Sequence, residues 1–497
     1  MTRYGLYVDE LIEYPDKSDL FRPDVAYPEY PFSSTTTSNS RNAVYEGIRR
    51  VLAMTGLDSD GFGTPGWNPL GEYVHPGDKV LVKPNLVMDV NPSGNGTDCL
   101  YTHPSVIAAV IDYVIIALKG EGSIVLADAP MQTCDFDNLV KMSGLFEMVN
   151  WYRNQGVDIV LADMRGLRST EGPLGPVQEI VKGAKGRVID LGEDSSFHGL
   201  SDDRIDALRI TNYDPDELKR HHAPGKHEYF VSSYLLDADV VVNVPKGKTH
   251  RKAGVTGALK NMVGVNVRKE YLPHHTLGSK DEGADEYRAR SIFRKIGSLL
   301  LDSKNRMLGS KSRKAGMILG MLALSVNRLG KLATKDKTSE GSWFGNDTIW
   351  RTVLDLNKIV RYANSKGVMQ DVPQRRMVVF TDMIVIGQDE GPLLPAPGKW
   401  NMLSFSDSPV ASDIAMAGLM GADFSLIPCI EHALSYGGRY KVAEGSEADV
   451  VCQSNDFAYD GKPIKTLNED GVRVARPSKN WDPAFRKVMT PKEEPYV

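Results

Sequence analysis

Cysteine is scarce in this chain, with four in 497 residues: Cys99, Cys134, Cys429 and Cys452. None lies within two to four residues of another, the spacing that zinc knuckles and ferredoxin clusters require, so no iron–sulfur cluster is expected. So sparse a set suits free thiols in a reducing compartment. An excess of one charge is also missing. Lys plus Arg (59) against Asp plus Glu (64) leaves −5, which gives no charge argument for a nucleic-acid partner. The start, MTRYGLYVDELIEYPDKSD, has no apolar core of the kind a secretory signal carries, and the expected location is the cytoplasm. There is no G-x-x-x-x-G-K-[ST] loop, no G-x-G-x-x-G after the first strong strand, no H-E-x-x-H and no nucleophile elbow, so ATP, NAD and zinc-protease chemistry have no motif behind them.

What is present is an ordinary globular composition, 41% hydrophobic and 25% charged. Polar SSTTTSNS leads into a helical pattern at Val44, Ile48, Val51 and Leu52, within an N-terminal extension over 1–75. From 76 to 290 an α/β lobe is expected. KVLVKP, SIVLADA and VDIVLADM read as strands. THPSVIAAVIDYVIIALKG and DNLVKMSGLFEMVNWYRNQG read as the helices between them, the first with Thr102 as its cap. That alternation predicts right-handed crossovers and a mostly parallel sheet flanked by helices, in two lobes. Another strand is expected at Ala238–Val244, and the sheet resumes at Arg376–Gly387 in a second α/β portion over 346–450, before a tail over 451–497.

Between the two portions, 291–345 reads as a basic helical insert. From Ser291 to Lys337 eleven basic residues face two acidic ones, around the apolar run AGMILGMLALSV. Its twelve residues fall short of the roughly 20 that span a bilayer. It either lies on an anionic membrane surface or packs on the body or on a second copy of the chain.

The stretch most laden with chemistry is NVPKGKTHRKAGVTGALKNMVG, Asn243 to Gly264. It leaves a buried strand and at once presents Lys246, Lys248, His250, Arg251 and Lys252, at the carboxyl end of a strand where open α/β sheets bind ligands. Gly254, Gly257 and Gly264 allow close backbone approach, and Thr256 is placed to cap a helix carrying Lys260 and Asn261. Ammonium groups beside a helix N-terminus suit a small anion, carboxylate or phosphate. Lys83 and Asn85 follow another buried strand and are read as further anion ligands, with Asp128 as counter-charge or metal ligand. In GQDEGPLLPAPG, Asp389 and Glu390 stand at a turn, where they bind a divalent cation, supply a base, or are simply a turn. Asp413 falls inside an apolar helical pattern and needs a partner, for which a basic side chain is the natural choice. His221–His222 and His274–His275 are weaker metal candidates, because adjacent side chains point apart.

VLVKPNLV, THPSVIAAVIDYV, DADVVVNVPKGKTHRKAGVTGALKNMVG, GNDTIWRTVLDLNKIV, FTDMIVIGQDEGPLLPAP and SDSPVASDIAMAGLMGAD resemble, in order, segments of the family of domain of unknown function 362. The stretch from His250 through Gly254 and Gly257 to Lys260 also resembles, more distantly, the nickel-pincer lactate racemases, in which a lysine ten residues after a histidine anchors the cofactor. These resemblances imply an α/β scaffold for a Lys/His site and, from the second, proton or hydride transfer beside a carboxylate. The expected enzyme uses Lys260, His250 and Asp389 for chemistry and Lys83, Asn85, Lys246, Lys248, Thr256 and Asn261 for binding. Asp128 and Glu390 are its metal candidates, and Gly254, Gly257 and Asp413 its support. The alternatives are a non-catalytic membrane-surface or assembly protein working through 291–337, and a pincer-type 2-hydroxy acid racemase.

Overall fold

A computed structural model describes residues 2–16, 19, 21–32, 37–172, 175–307, 313–468 and 473–485. At its centre is a mixed, mostly parallel sheet of ten strands. In chain order these are β1 (Tyr4–Val8), β2 (Lys79–Pro84), β3 (Ser123–Asp128), β4 (Ile159–Asp163), β5 (Val240–Val244), β6 (Lys246–His250), β7 (Gly254–Thr256), β8 (Arg376–Glu390), β9 (Leu394–Ser406) and β10 (Cys452–Ser454). Across the sheet the order is β10-β1-β9-β8-β5-β2-β3-β4, with β6 branching from β8 and carrying β7. β8, β5, β2, β3 and β4 run parallel, in registers such as Val242 beside Val82 and Leu126 beside Leu161. β1 and β9 form the antiparallel part with β8.

The strands belong inside because both faces are covered. Val80, Val82, Val240 and Val242 point into one core with helices α1 (Ala43–Met54), α2 (Pro104–Leu118), α3 (Phe136–Ser143) and α4 (Leu145–Asn154). Leu81 and Val241 point the other way, into a core shared with α5 (Ala258–Asn261), α8 (Ile349–Tyr362), α9 (Pro409–Leu419) and α10 (Pro428–Ser435). That period-two division of an unbroken apolar run is what a doubly covered parallel sheet produces.

Three local expectations are corrected. DNLVKMSGLFEMVNWYRNQG is two helices rather than one, because Gly144 takes the left-handed conformation (φ 85°) and ends α3 as a glycine C-cap does. α2 is capped by His103, whose ring accepts from the Ser105 N–H, with Pro104 in the first turn. Thr102 instead ties two strand ends together, donating to Val244 O at 2.7 Å and accepting from Asn85 N at 2.9 Å. Finally, both chain ends contribute strands to the central sheet, β1 and β10, although neither segment has the apolar length that marks a strand in sequence.

The insert is a helical hairpin, α6 (Ile292–Arg306) and α7 (Arg313–Thr334). Ser298, Asp302 and Arg306 hold α6 to the body through Glu286, Arg209 and Asp216. The seam between the helices is made of small groups. A Cβ on Gly297 would collide with Asn327 and one on Gly330 with Arg294, while Gly316 and Gly320 lie against Met307 and Lys304.

Where β6 leaves the main sheet, Lys246 is fully buried and its ammonium meets Asp382 Oδ2 at 3.0 Å and Tyr14 Oη at 2.5 Å. Asp382 also accepts from His103 N and from Tyr14 Oη, so the pair has a full set of partners. Truncating one member of such a buried pair strands the other charge. Asp382→Ala should therefore cost about 3–5 kcal/mol in urea unfolding. A loss below about 1 kcal/mol would show that the pair is not buried in solution.

Candidate functional site

The carboxyl ends of β2, β3 and β6, the short helix α5 and the chain around 264–274 enclose a cavity of about 180 Å³. Asn85, Asp128, His250, Thr256, Lys260 and Asn261 all line it, so segments far apart in sequence do share one hollow. Arg251, Lys252, Lys269 and His274 line it too, as do Pro392 and Leu393.

The floor is a closed polar network. The Lys83 ammonium is fully buried, 2.7 Å from Asp128 Oδ1, 2.8 Å from Pro84 O and 3.2 Å from Asn261 Oδ1. Asp128 Oδ2 accepts from Leu86 N at 2.8 Å, and Asn261 Nδ2 donates to Lys83 O and to Asn243 Oδ1. Gly264 lies so close that a Cβ there would collide with both Asp128 and Lys83. α5 starts at Gly257, and the two N–H groups of Ala258 and Leu259 donate to Asp413, at 2.5 and 3.0 Å. Here two expectations change. Asp413 is partnered by backbone amides and not by a basic side chain, and Thr256 does not cap α5. A carboxylate on α9 reaches both amides, and a Cβ at Gly257 would collide with it. The Thr256 hydroxyl is left buried, without a hydrogen-bond partner, in the cavity wall.

Above that floor the lining is cationic. Lys260 lies within the protein with part of its surface on the cavity, and among the described residues no carboxylate pairs with its ammonium. Burial lowers its pKa to about 8. Lys252 and Lys269 are likewise pushed down to about 8, chiefly by burial, and among the described residues their ammonium groups meet neutral oxygens, Thr211 Oγ1 at 3.3 Å and Ala129 O at 3.0 Å. The one carboxylate among the lining residues, Asp128, is already committed to Lys83.

Two histidines complete the wall with opposite polarity. Nδ1 of His250 accepts from the N–H groups of Lys252 and Ala253 at 3.0 and 3.1 Å, which leaves the proton on Nε2. Nδ1 of His274 lies 2.6 Å from Leu272 O and must donate, which leaves its Nε2 bare. Burial, then the neighbouring lysines, holds both rings well below the usual histidine pKa, so both are neutral at pH 7. One ring thus offers a donor and the other an acceptor.

The remaining expected residues do not line the cavity themselves. Lys83 and Lys246 are committed to Asp128 and Asp382. Lys248 donates to Asn85 Oδ1 and, at 2.6 Å, to Leu100 O; burial beside Lys246 lowers its pKa to about 7. Asp389 pairs with Arg476, and Glu390 accepts from Lys479 N, so that turn gives the cavity Pro392 and Leu393 and not its carboxylates. Gly254 takes φ 79° at the tight β6–β7 turn, on which Trp481 and Ile427 pack. Among the described residues no three of His, Cys, Asp and Glu gather as a ligand set for a metal ion. Lys269 is not singled out by the sequence, and His274 enters there only with His275 as a weaker metal candidate. Lys269 lies beyond the glycine-rich motif, and His274 looks like half of an exposed histidine pair.

A family model described as Domain of unknown function (DUF362) matches residues 80–186 and 193–418, more than half of the chain. The chain belongs to this family. The matched region carries every lining residue of the DUF362 cavity. Thylakoid-associated protein sll1697 of Synechocystis sp. is 25% identical over 212 residues, which cover 43% of this chain and 46% of that protein. The chain thus matches less than half the length of that relative. A crystal structure of a protein from Thermotoga maritima aligns over 72% of this chain and 55% of its own, at 11% identity and a TM-score of 0.29.

A second cavity, of about 410 Å³, lies between the hairpin and the body, lined by Met317, Met321 and Leu324 on one side and Arg209, His275 and Glu286 on the other. Ile210 and Thr211 line both cavities.

The lysine cluster predicts a direction for stability against pH. Lysines that titrate near 8 in the folded chain and near 10.4 when unfolded leave the folded state short of protons above pH 8. The melting temperature of the ligand-free protein should therefore rise as pH climbs from about 8 towards 10, and Lys260→Met should flatten that rise. A melting temperature falling over this interval would contradict the burial of these groups.

Proposed function

We propose that this protein is an enzyme that binds a small carboxylate- or phosphate-bearing molecule in the cavity at the strand ends. The observation that carries the reading is charge imbalance. Lys252, Lys260 and Lys269 face a hollow whose single lining carboxylate is already paired. An anion there replaces the lost hydration of three ammonium groups, and charge-assisted hydrogen bonds are the strong ones. The Thr256 hydroxyl and the His250 Nε2–H are further donors to it.

For the chemistry, Lys260 is the group to assign. With a pKa near 8 and no carboxylate partner among the described residues, it exchanges a proton near neutral pH and acts as general base, general acid or nucleophile toward the bound molecule. The bare Nε2 of His274 is the second proton acceptor, so the pair suits proton transfer next to a carboxylate. Lys83, Asp128 and Asn261 hold the floor in register. Whether a divalent metal or a pincer-type nickel cofactor takes part is answered by elemental analysis and mass spectrometry of what copurifies.

A second reading concerns place. The relative named above is called thylakoid-associated, and the hairpin of this chain exposes large apolar side chains, Leu329 and Leu332 at 54 and 69%. Both favour attachment to a membrane surface. No helix among the described residues is long and apolar enough to cross a membrane, so the attachment proposed is peripheral.

Isothermal titration with inorganic phosphate and with small 2-hydroxy acids should detect binding at pH 7 that weakens as pH passes about 8, where the lysines lose their protons. Lys260→Ala should weaken it by on the order of tenfold and remove turnover of any substrate found. Unchanged affinity in that variant, or no binding of any such anion, would overturn the reading.

A further inference from the structure

The hairpin is packed inside out. On α7 the residues facing α6 recur four and three apart, Gly316, Gly320, Ala323, Asn327 and Gly330, and on α6 the close approach is made by Gly297. At 100° per residue, Ile318, Leu322, Leu329 and Leu332 lie on the side of α7 opposite that seam, and they are 50 to 69% exposed. α6 repeats the arrangement. Its body-facing residues are Ser298 and Asp302, whereas Ile292, Ile296 and Leu299 lie on another side, 43 to 65% exposed. A hairpin built for water puts its leucines in the seam and its polar groups outside. Small residues between helices and large apolar ones outside is the distribution found where the surroundings are hydrocarbon.

Length and charge settle the kind of apolar surroundings. α7 has 22 residues, about 33 Å, but Arg294, Asp302, Asp336 and the flanking lysines make the hairpin too polar to span. Lys314, Arg328, Lys335 and Lys337 are exposed beside the apolar stripe, and among the described residues none has a carboxylate partner. Cations flanking an apolar face are the complement of an anionic headgroup layer over acyl chains.

We propose that α6 and α7 seat in the interface of an anionic phospholipid leaflet, the leucines and isoleucines entering the acyl boundary and the four cations contacting lipid phosphates. This rests on the peripheral-attachment reading above and adds the lipid chemistry and the residues. It does not depend on what the Lys260 cavity binds.

Sedimentation with sucrose-loaded vesicles tests it. The full-length protein should pellet with phosphatidylcholine–phosphatidylglycerol vesicles and far less with phosphatidylcholine alone, and raising salt should release it. The triple variant Leu322→Glu, Leu329→Glu, Leu332→Glu changes only exposed side chains, so it should keep the wild-type melting temperature while losing vesicle binding by on the order of tenfold or more. If that variant fails to fold, Lys314→Glu with Arg328→Glu serves in its place, with the same expected loss on anionic vesicles. Lys260→Ala should pellet like wild type, which separates failure of this proposal from failure of the cavity reading. No pelleting with anionic vesicles, or equal pelleting of wild type and variant, would overturn the proposal. So would gel filtration showing a dimer that the triple variant breaks while vesicles capture neither form, since the face would then belong to a second copy.

Discussion

The structure around the cavity depends on how the chain buries ammonium groups. Lys83 is the pivot. A bare ammonium in the interior is prohibitive, and the fold meets it with Asp128, a proline carbonyl and the Asn261 amide at once. Those contacts fix the relative positions of β2, β3 and α5, and with them the cavity's shape. Because Asp128 is consumed there, it cannot also neutralise Lys252, Lys260 and Lys269 above it. The unbalanced charge of the cavity follows from the balanced charge of its floor.

The same logic divides the lysines of the 246–260 stretch into two kinds. Lys246, in line with Asp382, is a structural cation. Among the described residues Lys252 and Lys260 have no carboxylate partner, and they keep a lowered pKa, the usual condition of groups that meet a ligand. Lys248 lies between them, hydrogen-bonded to oxygen atoms without charge. Counting basic residues in a motif does not reveal this division, since which lysine meets a carboxylate is decided by strands more than a hundred residues away.

Much of the fold is legible in the sequence because the parallel strands are short, unbroken and β-branched, and the helices between them carry caps and turns. What escapes is what long-range contacts decide. β1 becomes a strand because β9 offers an edge, and β10 because β1 then offers the next one. DNLVKMSGLFEMVNWYRNQG keeps an unbroken helical pattern across a glycine that the structure uses as a stop. At the site, His250, Lys260 and Asn261 follow from the motif after β5, and Asn85 and Asp128 from strand ends. Asp389 and Glu390 are misleading, because acidic residues at a turn look alike whether they face a ligand or, as here, an arginine and a backbone amide of the tail. Lys269 carries no local pattern at all, and His274 shows only as half of an adjacent histidine pair.

Asp413 has one more consequence. It reaches back 155 residues to hold the first turn of α5. A ribosome making this chain releases Lys260 long before the carboxylate that anchors its helix exists. The pocket can therefore close only after α9 has emerged, and a nascent chain halted before residue 409 carries the motif without a working chamber.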